Sequence, residues 1–183
     1  MRRPLGQLER EVERWRGAPR PSRIDVAGPG QESVWDYPRP PRVEPVPETV
    51  RVELAGVVLA ESGAALRVLE TAAPPTYYVP ALDVRADLLV PTPREAFCEW
   101  KGRAGYWHVE AGGRRSEHAA WSYADPFEEY AELAGAFAFF AGRVDACRLG
   151  AERVVPQPGG FYGGWITWRI VGPFKGEPGS EGW

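Results

Sequence analysis

The chain has 183 residues, among them 21 glycines and 19 prolines, with 44% hydrophobic residues and a formal charge of −3. That length suits one ordinary domain, and so many turn-formers exclude a bundle of long helices. The slightly negative balance excludes the strong positive field of a general nucleic-acid or acidic-membrane binder.

No stretch reaches the roughly 18 to 20 apolar residues of a membrane helix. Met1-Arg2-Arg3-Pro4 is followed by charge rather than by an apolar leader. A soluble cytoplasmic protein is the expectation.

Residues 1–47 hold nine prolines, and seven arginines stand in the first 23 residues against Glu9, Glu11 and Glu13. Apart from a short helix predicted over Leu5 to Trp15, this segment is an arm. It is either a solvated tail or an element docked on its own or a neighbouring subunit. Its end, Trp35-Asp36-Tyr37-Pro38-Arg39-Pro40-Pro41, favours extended backbone lying along a surface.

Residues 48–155 carry the core. Val50, Val52 and Leu54 alternate with Arg51 and Glu53, the pattern of a half-buried strand. Val57–Glu61 and Ala65–Glu70 follow as strands, with Ser62-Gly63 as a hairpin turn between them. Ala72-Ala73-Pro74-Pro75 breaks the run, Thr76–Val79 resumes it, and Pro80 opens one or two helical turns that end at Pro91 and Pro93. Phe97–Trp100, Ala104–Glu110 and Arg115–Tyr123 read as strands, the last two joined at Gly112-Gly113. Asp125 then caps a short helix begun by Pro126 and closed by Gly135. Ala136–Phe140 and Val144–Leu149 form a final hairpin. Residues 156–183 alternate Gly, Pro and aromatics and are expected to pack on the core. Eight or nine short strands with two or three short helices make a mainly β chain, a compact antiparallel two-sheet domain.

Little standard catalytic machinery is visible. No serine lies in a Gly-x-Ser-x-Gly elbow, and there is no phosphate-binding glycine loop. Cys98 and Cys147 form no Cys-x-x-Cys pair. Cys147 reads as a buried hydrophobe, whereas Cys98, three residues before Lys101, is a candidate nucleophile because a nearby ammonium favours the thiolate. His108 and His118 lack the paired spacings of structural zinc, so no metal is expected. A two-residue loop at Gly112-Gly113 sends the two imidazoles to opposite faces of the sheet, and a three-residue loop places them side by side. Asp83 and Asp87, four apart on a helical turn, share a face. No cofactor is implied.

The cations are more informative. All but Lys101 and Lys175 of the 22 Lys and Arg residues are arginine, and both lysines occur as aromatic-Lys-Gly. An ammonium on a flexible stem is not interchangeable with a guanidinium fork, so a lysine kept in an Arg-biased chain marks a place where the difference matters. Tyr77, Tyr78, Trp100, Tyr106, Trp107, Trp121 and Tyr123 lie in neighbouring strands around Lys101, and alternation turns about half of them toward it.

Several motifs together carry a resemblance: Glu32 to Pro41, Val68-Leu69-Glu70-Thr71 with Pro75-Thr76-Tyr77-Tyr78-Val79-Pro80, and Cys98-Glu99-Trp100-Lys101-Gly102 with Tyr106-Trp107. Ala120-Trp121-Ser122-Tyr123 and Phe161-Tyr162-Gly163-Gly164-Trp165 extend it. In this order they resemble the bacterial domain of unknown function family 427, from about residue 32 onward. The resemblance implies a β-tent type fold, shared with methionine sulfoxide reductase B and with ligand-binding domains that use aromatic cages. It implies no established activity. The family's nucleotidyltransferase-like label has no counterpart here, since no Gly-Ser is followed by an Asp-x-Asp or Asp-x-Glu pair to hold magnesium. The zinc-binding cysteine pairs found elsewhere in that fold group are also absent.

The first expectation is a small-molecule binder, its anionic or planar ligand held in an aromatic pocket by Lys101, Tyr78, Tyr106, Trp121 and Tyr123, with Asp83 orienting the lysine. The second is an enzyme, thiol reductase-like or transferase-like, with Cys98 or Lys101 as nucleophile. The third is a protein-docking module, or a homo-oligomer joined through the N-terminal arm or the C-terminal tail. Whether Lys175 shares a site with Lys101 stays open at this point.

Overall fold

A computed structural model describes residues 1–183. Helix α1 (Gln7–Arg16) leads into β1 (Glu32–Ser33) and β2 (Arg42–Pro45), then β3 (Val50–Leu54), β4 (Val57–Ser62), β5 (Leu66–Glu70) and β6 (Ala73–Tyr78). The long strands β7 (Leu89–Cys98), β8 (Gly102–Ala111) and β9 (Arg114–Ser122) follow. The chain ends through β10 (Phe137–Phe139), β11 (Ala146–Leu149), β12 (Glu152–Arg153), β13 (Val155–Pro156), β14 (Trp165–Ile166) and β15 (Ile170–Val171). The expected mainly-β, antiparallel architecture is present. It is divided among three principal sheets rather than two, ordered β10-β9-β8-β7, β12-β11-β3-β4 and β2-β5-β6, with two small ribbons, β1-β15 and β13-β14. No helix is long and apolar enough to cross a membrane.

Alternation fixes which face each strand buries. Val50, Val52 and Leu54 have no exposed surface, while Arg51 and Glu53 between them stay partly in water and pair with each other at 2.7 Å. With Leu59, Val109, Phe139, Cys147 and Trp165 they form the larger core. A second core gathers Trp100, Tyr106, Trp121, Tyr123, Tyr130 and Leu133, and a third, smaller one gathers Val34, Trp35, Tyr37, Leu69 and Ile170.

Several local expectations are corrected by tertiary pairing. Ser62-Gly63 does not close a hairpin: β4 pairs with β3, β5 pairs with β2 and β6, and the chain passes between sheets at that point. Likewise β10 pairs with β9 and β11 with β3, so the expected final hairpin is a crossover. The prolines expected to break the chain lie inside β6 and β7. Both are edge strands, and each ladder slips a register there, between Val68 and Glu70 opposite β6 and between Pro91 and Glu95 within β7. Proline is tolerated in such places because no partner needs its missing N–H. Asp125 caps nothing: the turns over Glu128–Leu133 are 3-10 and begin after Phe127.

The arm is docked on the body rather than free in solvent. Strand β2, within residues 1–47, is hydrogen-bonded to β5, and α1 lays Leu8, Val12 and Trp15 against the second core. Arg3 fastens the start of the arm, donating to the Glu99 carbonyl at 2.5 Å and the Trp100 carbonyl at 2.6 Å and lying 4.0 Å over the Phe127 ring.

Candidate functional site

The β7-β8 hairpin closes at Cys98 opposite Gly102, which leaves Glu99, Trp100 and Lys101 as its turn. Trp100 is completely buried and anchors the turn in the second core. Gly102 sits at φ +96°, backbone that an L side chain rarely adopts, and a Cβ there would come within 2.9 Å of the Met1 side chain. Phe127 donates its N–H to the Lys101 carbonyl at 3.1 Å. These constraints hold Lys101 inside the protein, 7% exposed, where a hairpin turn ordinarily presents lysine to water.

Lys101 lines a cavity of about 390 Å³ together with Tyr78, Cys98, Tyr106, Trp121 and Tyr123. Register explains the aromatics: Tyr106 and Trp121 face each other across β8 and β9, so they share a side of the sheet. Trp107, next to Tyr106, and Tyr77, next to Tyr78, turn the other way, against or into the larger core. The indole N–H of Trp121 donates to the Tyr78 hydroxyl at 3.3 Å, and Trp121 also packs on Phe140 with ring centroids 4.5 Å apart. The loop Phe161-Tyr162-Gly163 completes the wall. A Cβ on Gly163 would stand 2.1 Å from the Trp121 ring, so this approach requires glycine.

The tail brings the other lysine to the same place. Lys175 donates its backbone N–H to the Ala72 carbonyl at 2.7 Å and accepts at its own carbonyl from the Gln157 amide at 2.7 Å. Its ammonium lies 4.8 Å above the Trp15 ring and 5.3 Å from the Tyr162 ring, with no carboxylate within salt-bridge distance. Both lysines of the chain therefore line one cavity. Glu70, Glu99 and Glu181 reach it as well. Glu70 is 4.0 Å from the Lys101 ammonium and 3.5 Å from Arg39, and Glu99 accepts from the Trp15 indole at 3.0 Å.

The environment sorts these groups by charge. Burial works against the Lys101 ammonium, but Cys98, Tyr78, Glu70 and Tyr130 outweigh it, and the pKa is held above the ordinary lysine value. Burial pushes the Tyr78 and Tyr123 hydroxyls up and Tyr130 up to about 12, so all three are neutral donors at neutral pH. Burial also drives Lys175 the opposite way from Lys101, below the ordinary value, with Glu70 opposing and Arg39 reinforcing the fall. The cavity thus holds one persistent ammonium and one that releases its proton more readily.

Asp83 does not join them. It is exposed on a 3-10 turn at Ala81–Asp83 and accepts from Ser62 at 2.5 Å, beside β4. Glu70, from the end of β5, occupies the place beside Lys101 instead. The chain kinks into separate short turns after Pro80, so Asp83 and Asp87 share no helical face, and Asp87 pairs with Arg85 at 2.7 Å. Cys147 is buried in the larger core, and burial pushes its thiol up.

The histidines correct the register argument. Gly112-Gly113 is a two-residue turn, with Ala111 opposite Arg114, yet the rings of His108 and His118 are 4.7 Å apart. A bulge between Trp107 and Val109 puts extra residues in β9, with His118 at φ +50° donating its N–H to the His108 imidazole at 3.0 Å. No group of three or more His, Cys, Asp or Glu side chains is placed to hold a metal.

Glu70, Trp15 and Tyr162 are members of the site to which the sequence did not point, and Lys175, whose place in it the sequence left open, lines the same cavity. Only Lys175 carried a sequence signal, the shared aromatic-Lys-Gly setting.

No curated protein matches the chain. A family model described as Domain of unknown function (DUF427) matches residues 42–150, more than half of the chain, from β2 through β11 and across the Cys98-to-Lys101 turn. The chain belongs to the DUF427 family.

Proposed function

We propose that this protein binds a small ligand with a flat body and an anionic group in the cavity around Lys101. The observation that carries the reading is the convergence of both lysines of an otherwise all-arginine cation set on one aromatic-walled cavity of about 390 Å³. Lys101 supplies a buried charge that stays protonated, and Lys175 supplies a cation with no carboxylate partner. Tyr78 and Tyr123 supply neutral hydroxyls, and the Trp121, Tyr106 and Phe140 rings supply faces for stacking. The three nearby carboxylates limit the excess of positive charge, which favours a ligand of low charge over a polyanion.

The test is a thermal-shift screen of carboxylates, amino acids, nucleobases and sugar phosphates, repeated with Lys101→Met. A ligand at 100 times its dissociation constant stabilises the fold by about 2.7 kcal/mol. The expected result is a saturable shift that vanishes in a folded Lys101→Met variant. A shift of the same size in the variant disposes of the reading.

A further inference from the structure

A second cavity lies between the arm and the body, and its chemistry differs from that of the first. It measures about 290 Å³, and its polar lining comes from Arg16, Arg20, Arg39 and Thr71, with no acidic side chain among its walls. Trp15 and Trp35 form two of those walls, and each carries a guanidinium on its face: Arg39 lies 4.2 Å from the Trp15 ring centroid and Arg20 lies 5.3 Å from that of Trp35.

The arginines have donors to spare. A guanidinium offers five N–H donors. Arg20 uses one, to the Trp35 carbonyl at 3.1 Å, and has no carboxylate within salt-bridge distance. Arg39 has a side chain only 10% exposed, donates to the Thr71 carbonyl at 2.8 Å, and has a buried Nε that makes no hydrogen bond although Glu70 stands 3.5 Å away. Arg16 is paired with Glu13 at 2.6 Å, and neither Glu13 nor Glu70 faces this cavity. Planar forks on indole faces are the arrangement that recognises an oxyanion bidentately while stacking its organic body.

We propose that this cavity is a second binding site, selective for a small phosphorylated compound with a flat ring. The phosphoryl group would be held by Arg16, Arg20 and Arg39, and the ring would lie along the cavity wall that Trp15 and Trp35 form beside the stacked guanidiniums. Three guanidiniums, two of them paired with carboxylates that lie outside the cavity, face a wall with no acidic side chain, which favours the doubly charged phosphoryl head over a singly charged carboxylate. The volume admits one ring and one head group, not a dinucleotide. The site is independent of the cavity around Lys101, although Trp15 walls both.

The probes are phenyl phosphate, inorganic phosphate and benzoate, titrated into the full chain at constant ionic strength, with the indole N–H signals of Trp15 and Trp35 followed by NMR. Phenyl phosphate is expected to saturate, with an affinity at least tenfold above benzoate and above inorganic phosphate. Arg20→Met and Arg16→Met, both at exposed arm positions, should each weaken it at least tenfold, and Lys101→Met should leave it unchanged. Binding lost in Lys101→Met but kept in Arg20→Met would place the anion in the other cavity and overturn the proposal. Equal binding in every variant, equal weakening in all three, or no saturable change at the two indoles would also overturn it.

Discussion

At the scale of single residues, the two lysines show how one side-chain type takes opposite electrostatic characters within one cavity. Lys101 is locked in a buried turn beside Glu70, and its pKa is raised; Lys175 is half-buried against Trp15 and Tyr162, and burial lowers its pKa. The linkage consequence has a definite sign. An unfolded chain holds the Lys175 proton up to about pH 10.4, whereas the folded chain releases it earlier. Between those two values the unfolded state binds more protons, so this residue makes stability rise with pH. Binding of an anion runs the other way, because the anion favours the charged amine. Affinity for an anionic ligand is therefore expected to fall as pH climbs toward 10, through loss of the Lys175 charge before that of Lys101. Calorimetric titrations at pH 7 and pH 9.5 check this, and in Lys175→Met the pH dependence over that interval should disappear.

At the scale of elements, β3 separates what packing contributes from what charge contributes. Leu54 has no exposed surface, and Leu54→Ala is expected to cost about 2–5 kcal/mol through lost burial and the cavity it leaves. Arg51 forms ion pairs with Glu53 at 2.7 Å and Glu61 at 2.6 Å, but all three side chains are substantially exposed. Water and salt screen such pairs, so Arg51→Ala should cost no more than about 1 kcal/mol. Urea unfolding of the two variants measures both, and a larger loss for Arg51→Ala than for Leu54→Ala would reverse the ranking.

At the scale of the whole molecule, the arm and the tail are structural parts of the body, and they bring to it what the central strands lack. The arm delivers Trp15, Arg16 and Arg20, the tail delivers Tyr162 and Lys175, and the two meet where the Lys175 ammonium faces the Trp15 ring. Deleting residues 1–20 is expected to leave a folded β protein, since no strand is removed. It should cost about 2–4 kcal/mol from the contacts of Leu8, Val12 and Trp15 and open the cavity around Lys101 on one side. Circular dichroism with thermal melting checks the first expectation. A ligand titration at the Lys101 cavity should show at least fivefold weaker binding.

Much of this molecule was legible in its sequence because strands write their burial every second residue. The alternation over Val50–Leu54 follows from period two, and the two glycines mark the Gly112-Gly113 turn, whereas the pairing of Tyr106 with Trp121 depends on the register shift between Trp107 and Val109. The composition of the cavity was legible in part, since a lysine kept among arginines and surrounded by aromatics already marked the Cys98-to-Lys101 turn. What pairs with what was not. Ser62-Gly63 and the segment between β10 and β11 look like hairpins locally, but their strands find partners far along the chain, because apolar faces are buried where surfaces match and not where the chain is shortest. The His108 and His118 contact depends on a bulge, one local slip that cancels a correct turn assignment. Residues 70, 101 and 175 meet only after three separate segments have packed. Sequence alone determined the central alternating strands and the types of side chain available to a site, and tertiary structure decided the edge strands and which side chains share a cavity, because long-range packing sets proximity.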